Sequence, residues 1–299
     1  MEKRPFIEIN EAMGSKAKKQ SQAKEVWHRL RKNRSAMVGL VILIFFVLVA
    51  LFADVIAPYE QAIMQNKDAI CDPPSAEHIF GTDRLGRDVF ARVVQGSRIS
   101  LSIGLFTSLG SLAIAVVLAA AAAYYGGVVD TVVMRVVDVF MCIPSILLSL
   151  AIVAALGPNM LNLLIAMMVS AIPSKVRLIR SAILNVIDQE YVEAARAYGC
   201  SDARVICKHI LPNALGIIIV DTTMGIAGTI LGAASLSFIG MGIQPPAPEW
   251  GSMLSEARDF IRKAPYLLTF PGLSILLSAM SCNLLGDGLR DAFDPKLRD

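Results

Sequence analysis

The chain has 299 residues, of which 55% are hydrophobic and only 18% are charged. Soluble domains have nearer 45–50% apolar residues, so the composition favours a protein of the lipid bilayer over a soluble one. The net charge of +3 is too small to indicate a nucleic-acid partner.

The amino-terminal region is strongly basic, because ten of the 28 Lys and Arg precede Ser35. The apolar stretch that follows is too long for a signal peptide and no A-x-A site comes after it, so residues 1–35 are predicted to be a retained cytoplasmic tail. Trp27 with Arg29, Arg31 and Arg34 suggests an amphipathic helix on the cytoplasmic leaflet.

Six apolar segments follow, each approaching the ~20 residues needed to cross a bilayer. They divide the chain into a first transmembrane helix (36–57), an external segment (58–98), a five-helix core (99–288) that includes a cytoplasmic loop (175–212), and a cytoplasmic tail (289–299). The predicted spans are about 37–53, 99–125, 132–156, 160–173, 214–241 and 267–285.

The distribution of Lys and Arg predicts the orientation of the spans. With both termini in the cytoplasm, the cytoplasmic pieces hold 20 of these residues and the two external segments hold eight, in agreement with the positive-inside rule. Of the external segments, the first is predicted to form an amphipathic helix over about 87–96, and the second a helix over about 252–261. Trp250 and Tyr266 are predicted to be aromatic anchors at the outer interface.

The chain contains no G-x-x-x-x-G-K-[ST] phosphate loop, no metal-ligand spacing and no recognisable catalytic set. We therefore expect no catalytic residue, cofactor or metal in this chain. Uphill transport would then need an ion gradient or a partner ATPase. Asp221 is the one deep acid in the spans, and such charge-poor spans argue against a proton relay. An ion-coupled carrier or a channel remains the alternative from another class.

The cytoplasmic loop is predicted to contain two short helices. The stretch EYVEAARAYG from Glu190 would form the first, which Gly199 would end. Ser201 and Asp202 would cap a second helix to about Ile210. The alanine face of the first helix could lie in a groove of another protein, although an ordinary structured loop is the alternative.

This loop resembles the EAA motif of ABC importer permeases. Glu193-Ala194-Ala195, Gly199 and Ile210-Leu211-Pro212 match it in order, with the Ile one place nearer the Leu than usual. The resemblance implies that the loop is the coupling helix that docks in a cleft of an ATPase. The residues expected to carry this coupling are Glu190, Tyr191, Glu193, Ala194, Ala195, Gly199, Leu211 and Pro212.

Three further stretches resemble the C-type permease of dipeptide, oligopeptide and nickel importers. They are GTDRLGRDVFARVVQGSRISL from Gly81, PPAPEWGSML from Pro245 and GDGLRDAFDPKL from Gly286. The resemblance covers roughly residues 25–297. It implies an all-α integral membrane protein with six transmembrane helices in the type I importer (MetI-like) fold.

The same resemblance implies the complex and its cargo. The expected partners are a B-type permease that forms a heterodimer, two ABC ATPase subunits that bind ATP and Mg²⁺, an external solute-binding protein and the inner-membrane bilayer. The cargo implied is a dipeptide or oligopeptide, with nickel, glutathione or another small solute as alternatives.

Two groups of residues have more than one interpretation from the sequence. Asp221, with Gly228 and Gly232 in the same span, could face the pathway or the partner permease. Alternatively, Asp221 is satisfied by Thr222, Thr223 or a nearby cation. The second group is a cluster of charged residues in the external segment: Asp83, Arg84, Arg87 and Asp88. This cluster could form an internal ion-pair network or a docking face for the binding protein.

Overall fold

The computed structural model describes residues 22–293, and the secondary structure in that range consists of helices and one isolated bridge between Thr82 and Asp88. The predicted tails lie outside this range over residues 1–21 and 294–299. The helices are α1 Gln22–Lys32, α2 Arg34–Leu51, α3 Ala53–Ile56, α4 Tyr59–Ile63, α5 Val89–Tyr125, α6 Gly127–Met141, α7 Ser145–Leu156, α8 Met160–Ile187, α9 Glu190–Ala197, α10 Asp202–Val205, α11 Leu211–Phe238, α12 Trp250–Ala257 and α13 Tyr266–Phe293.

Five stretches of helix are long and apolar enough to cross a membrane. They are α2, α5, α8, α13 and the stretch Asp202–Phe238, in which a π-helical turn, Ile206–Ile210, joins α10 to α11. A sixth span is present if the bent pair α6 and α7 is counted as one. The all-helical fold and the number of spans expected from the sequence are therefore confirmed.

The third span differs from its prediction as one helix over 132–156. The chain bends by 85° between α6 and α7, and Pro144 occupies the N-cap position of α7. Proline lacks an amide hydrogen and disfavours helical geometry in the residue before it. The apolar run therefore divides into two helices at this point.

The fourth span does not end near Pro173, because α8 continues to Ile187 with Pro173 inside it. The continuation is stabilised by a buried face of Val176, Ile179 and Ile183, which recur at helical spacing and pack into the largest core cluster. Likewise α5 begins at Val89, so the helix expected over about 87–96 is the first part of the second span.

The helices form a bundle with two distinct ends. The lower end carries residues 188–210, together with the start of α2 and the end of α13, where the Asn33 amide donates to the Asp291 carboxylate at 3.2 Å. The upper end carries residues 64–88 and 239–265. Along the bundle α2 packs closely on α13, since a Cβ on Gly39 would lie 2.7 Å from the carbonyl oxygen of Ser281.

Trp250 at the upper end is a core residue, which corrects its prediction as an interfacial anchor. Its side chain is fully buried, its ring contacts Phe46 edge to face, and its indole N–H donates to the Val93 carbonyl at 3.0 Å. Beside it, Glu249 is also buried, and its carboxylate caps α12 by accepting from the backbone N–H groups of residues 251 and 252. Burial raises the pKa of this carboxyl.

Tyr266 starts α13 and is also held within the protein. Its hydroxyl lies 2.8 and 3.0 Å from the carbonyl oxygens of Asp72 and Thr82, which share its single proton. These contacts connect the start of the last span to the loop that precedes α5.

Candidate functional site

Helix α9 ends in a glycine turn at the lower end of the bundle. Gly199 has a φ of +74°, a conformation that costs L-residues with a side chain about 1–2 kcal/mol. The N–H of Cys200 donates to the carbonyl of Ala195, and the N–H of Gly199 to that of Arg196. This pair of bonds is the Schellman motif, and it reverses the chain between α9 and α10 as the sequence predicts.

Helix α9 has one buried face and one exposed face. Val192 and Ala195 are buried, and they belong to the core cluster that includes Ala119 of α5 and Ile183 of α8. The opposite face is exposed and carries Glu190, Tyr191, Glu193, Ala194, Ala197 and Tyr198. Most of the residues predicted to couple to a partner therefore lie on the outward face, whereas Ala195 fixes the helix to the bundle.

Polar contacts add to this attachment of α9 and α10. The Tyr124 hydroxyl at the end of α5 donates to Asp202 at 2.8 Å, and the Arg196 guanidinium lies 4.8 Å from the centre of the Tyr124 ring. Asp202 thus contacts α5, and neither it nor Ser201 makes the side-chain cap predicted for α10. Movement of α9 would be passed directly to α5.

The second connection from the lower end is covalent. From Asp202 the chain is helical through the π-helical turn and into α11 without a break. Pro212 stands in the first turn of α11, directly after the π-helical turn, and has no N–H to donate to that turn. Leu211 and Pro212 therefore lie inside a continuous helix that joins the α9 region to the fifth span.

A cavity of about 320 Å³ with a mixed polar and apolar lining lies among α7, α8 and α11. Asp221 lines it and pairs with Lys175, whose Nζ donates to Asp221 Oδ2 at 2.8 Å. The hydroxyls of Thr222 and Thr223 donate instead to the carbonyls of residues 218 and 219. Of the partners suggested by the sequence, the neighbouring cation is therefore the one that satisfies Asp221.

The two glycines predicted to lie with Asp221 also line this cavity. A Cβ on Gly228 would meet nothing within 4 Å, and one on Gly232 would meet the Met167 methyl group at 2.9 Å. Within the described residues, Gly228 is therefore not at a close contact between two helices. Gly228 leaves open space in the cavity, whereas Gly232 makes room for Met167.

The charged residues before α5 are mostly internal to the chain. Arg87 is fully buried and pairs with Asp83 at 2.6 Å and with Glu256 of α12. Asp88 caps α5 through the N–H of residue 91 and accepts a contact from His78 at 2.8 Å. Of the four residues considered for docking, only Arg84 is exposed. This arrangement favours the internal network.

Three charged residues of these sites were not singled out from the sequence. Lys175 is the first residue of the loop predicted over 175–212, and the sequence pattern indicates no partner for Arg92 or Glu256. Arg92 pairs with Glu256 at 3.3 Å. A signal did exist for Lys175, since an unpaired acid and an unpaired base in two apolar spans favour each other. Over residues 22–293, no three His, Cys, Asp or Glu residues are arranged to hold a metal ion.

The comparisons with known proteins agree with this arrangement. Residues 111–299 match the family model described as the binding-protein-dependent transport system inner membrane component. Residues 21–74 match the N-terminal transmembrane domain of oligopeptide transport permease C.

Relatives extend over nearly the whole chain. It is 45% identical to the dipeptide transport system permease protein of Alkalihalophilus pseudofirmus, over 92% of this chain and 90% of that protein. It is 41% identical to the di/tripeptide transport system permease protein of Pseudomonas aeruginosa, over 93% of this chain and 94% of that protein. It is 44% identical to the glutathione transport system permease protein of Escherichia coli, over 92% of this chain and 90% of that protein.

A solved structure shares the fold. A chain of the MetNI methionine ABC transporter, in inward-facing conformations, superimposes with a TM-score of 0.56 at 19% identity, over 69% of this chain and 98% of that one. At that identity the likeness supports the fold alone. Together with the matching family models, it shows that the chain belongs to the inner-membrane components of binding-protein-dependent transport systems, as a multi-pass permease subunit of the C type.

Proposed function

We propose that this chain forms half of the translocation pathway of an ABC importer for short peptides. Its partners would be a B-type permease, two ATPase subunits that bind ATP and Mg²⁺, an external solute-binding protein and the bilayer; no nucleic acid takes part. The chain itself would hold no cofactor. Both termini would lie in the cytoplasm, so that the lower end faces the ATPases. Membership of this family argues against the ion-coupled carrier considered from composition.

The observation that carries this proposal is the two-faced geometry of α9. Its outer face presents Glu190, Glu193 and Ala194, while Val192 and Ala195 fix it to the ends of α5 and α8. A short helix with small exposed side chains can enter a groove closely, and an exposed carboxylate can form a charge-assisted hydrogen bond there.

The same geometry suggests how the subunit works. When ATP binding closes the ATPase dimer, α9 would move with the subunit that holds it. Tyr124 passes that movement to α5, and the unbroken helix from Asp202 passes it to α11. The spans would then open outward to accept solute, and ATP hydrolysis would restore the inward-facing state. This is alternating access by rigid-body movement.

Peptides are the cargo best supported by the relatives. The 45% and 41% identical proteins are a dipeptide and a di/tripeptide permease. Glutathione is the second candidate, because a glutathione permease is 44% identical over a similar length. Nickel, a third cargo of the resembled group, is implied by that resemblance alone.

Transport by the reconstituted complex tests the cargo. Proteoliposomes that contain both permeases and both ATPases should take up radiolabelled glycyl-leucine only with ATP and the binding protein present. Unlabelled dipeptides should compete more strongly than glutathione. Uptake by this chain alone, without ATPases, would contradict the proposal and favour an ion-coupled carrier.

Crosslinking tests the docking surface. In a background without native cysteines, Glu193→Cys should form a crosslink of short span to an ATPase subunit. Val192→Cys, one residue earlier and fully buried, is the matched control and should not. If both variants form the crosslink equally, α9 does not dock as proposed. The same conclusion follows if neither variant forms it in a complex that still transports peptide.

A further inference from the structure

The ion pair between Lys175 and Asp221 joins the middle of α8 to the lower half of α11. Asp221 comes ten residues after Leu211, the first residue of α11, which places it roughly 15 Å along the helix at 1.5 Å per residue. Charged side chains within membrane spans are costly, and they are read as functional sites by default.

The space beside the pair suits a small polar solute. A volume of about 320 Å³ lies within the range of pockets that bind small molecules, about 300–1,000 Å³. The wall carries the apolar side chains of Ile146, Met167 and Leu236, and five hydroxyl groups, those of Ser145, Ser149, Ser170, Ser174 and Thr229. Thr229 donates to a carbonyl of its own helix at 2.9 Å, which leaves its oxygen able to accept, whereas Ser170 Oγ already accepts from the Ser149 hydroxyl at 2.8 Å.

Both charged groups have unused hydrogen-bonding capacity toward this space. The Lys175 ammonium has three N–H donors and gives one to Asp221 Oδ2. Among the described residues, Asp221 Oδ1 makes no hydrogen bond. The side chain of Asp221 is 30% exposed, and that of Lys175 is 7% exposed. Gly225 borders the pair, since a Cβ there would lie 3.1 Å from Lys175 Nζ, and Gly228 lines the same cavity.

We propose that Lys175 and Asp221 form a binding site within the permease for the two charged ends of a zwitterionic peptide. The peptide carboxylate would accept from the Lys175 ammonium, and the peptide ammonium would donate to the Asp221 carboxylate. This proposal rests on the function proposed above, and it places recognition of the cargo inside the membrane as well as in the binding protein.

The electrostatic argument concerns exchange of partners. In the empty site the two charges neutralise each other, and a bound zwitterion replaces one opposite-charge contact by two. The total charge in the cavity stays at zero, so no uncompensated charge is buried. Glutathione has two carboxylates and one ammonium group, and it would bring a net negative charge into this site. The pair therefore favours peptides with neutral side chains over glutathione.

Transport by variants of the reconstituted complex tests the site. The double variant Lys175→Met/Asp221→Asn removes both charges, so it leaves no buried charge without a partner and should assemble as the wild type does. We expect it to import glycyl-leucine at least about tenfold more slowly, the loss typical of removing charge-assisted hydrogen bonds. ATP hydrolysis stimulated by the loaded binding protein should persist, because delivery of cargo precedes this site.

The outcomes separate this site from the proposed function. If the double variant imports glycyl-leucine at the wild-type rate, the pair is structural and the site is overturned while the importer stands. If the wild-type complex imports no dipeptide with ATP and binding protein, the proposed function and this site both fall.

Protection from thiol labelling gives a readout besides transport. Gly228 lines the cavity, and a Cβ there would meet nothing within 4 Å. In a complex without native cysteines, Gly228→Cys should react with a small maleimide, and glycyl-leucine delivered by the binding protein should slow this reaction. The same protection in the Lys175→Met/Asp221→Asn background would overturn the site.

Discussion

Four charged side chains at the upper end form a buried network with two positive and two negative groups. Arg87 and Arg92 are each 1% exposed, and Asp83 and Glu256 are about one tenth exposed. Such a network adds little net stability, because the charges lose their hydration. Removing one member is costly, since it leaves an opposite charge buried without a partner. The network joins the loop before α5 to α12, since Arg87 and Glu256 are 169 residues apart in the chain.

The cost of breaking this network can be measured by two arginine substitutions. Arg87→Met should lower the free energy of unfolding by about 3–5 kcal/mol, because Asp83 and Glu256 would then share one buried cation. Denaturant titration of the purified permease in mixed micelles would measure this loss. Arg84→Met, in an exposed residue that takes part in no ion pair among the described residues, should change stability by less than about 0.5 kcal/mol. Equal losses in both variants would contradict the network.

At the scale of the helices, substitutions of two adjacent alanines of α9 should affect different properties: one the stability of the fold, the other the binding of the ATPases. Ala195 packs in the core cluster, so Ala195→Leu overfills it and should cost about 1–3 kcal/mol. Ala194 is exposed, so Ala194→Leu should leave stability nearly unchanged but reduce co-purification of the ATPases and dipeptide uptake. Thermal unfolding and co-purification, measured on both variants, would check this. Normal coupling in Ala194→Leu would place the docking surface elsewhere.

The helices also show how far the sequence could predict the structure. The turn at Gly199 follows from local chemistry, as glycine readily adopts a positive φ. By contrast, Pro144 divides an apolar run whereas Pro173 lies within a continuous helix. The difference depends on tertiary packing, because the helix after Pro173 buries Val176 and Ile179 in the core. Likewise, the Lys175 partner of Asp221 is 46 residues distant, and periodicity carries no information about such a contact.

At the scale of the whole molecule, the described ends of the chain lie together. Helix α2 begins beside the end of α13, and the start of α11 is also there, since Gly216 lies against Phe293. Residues 188–210 are at this same end. If the excess of Lys and Arg places this end in the cytoplasm, then α9 faces the ATPases and the loop before α5 faces the binding protein.

Labelling of single cysteines can establish this orientation. Cys207 is exposed at the lower end, and Arg84 is exposed at the upper end. One variant would retain only Cys207, and the other would carry Arg84→Cys with no native cysteine. A membrane-impermeant maleimide should label Arg84→Cys in intact spheroplasts, because the upper end faces outward. It should label Cys207 only in inverted vesicles or after permeabilisation. The reverse pattern would invert the topology and remove α9 from the ATPases, so that the coupling proposal could not stand.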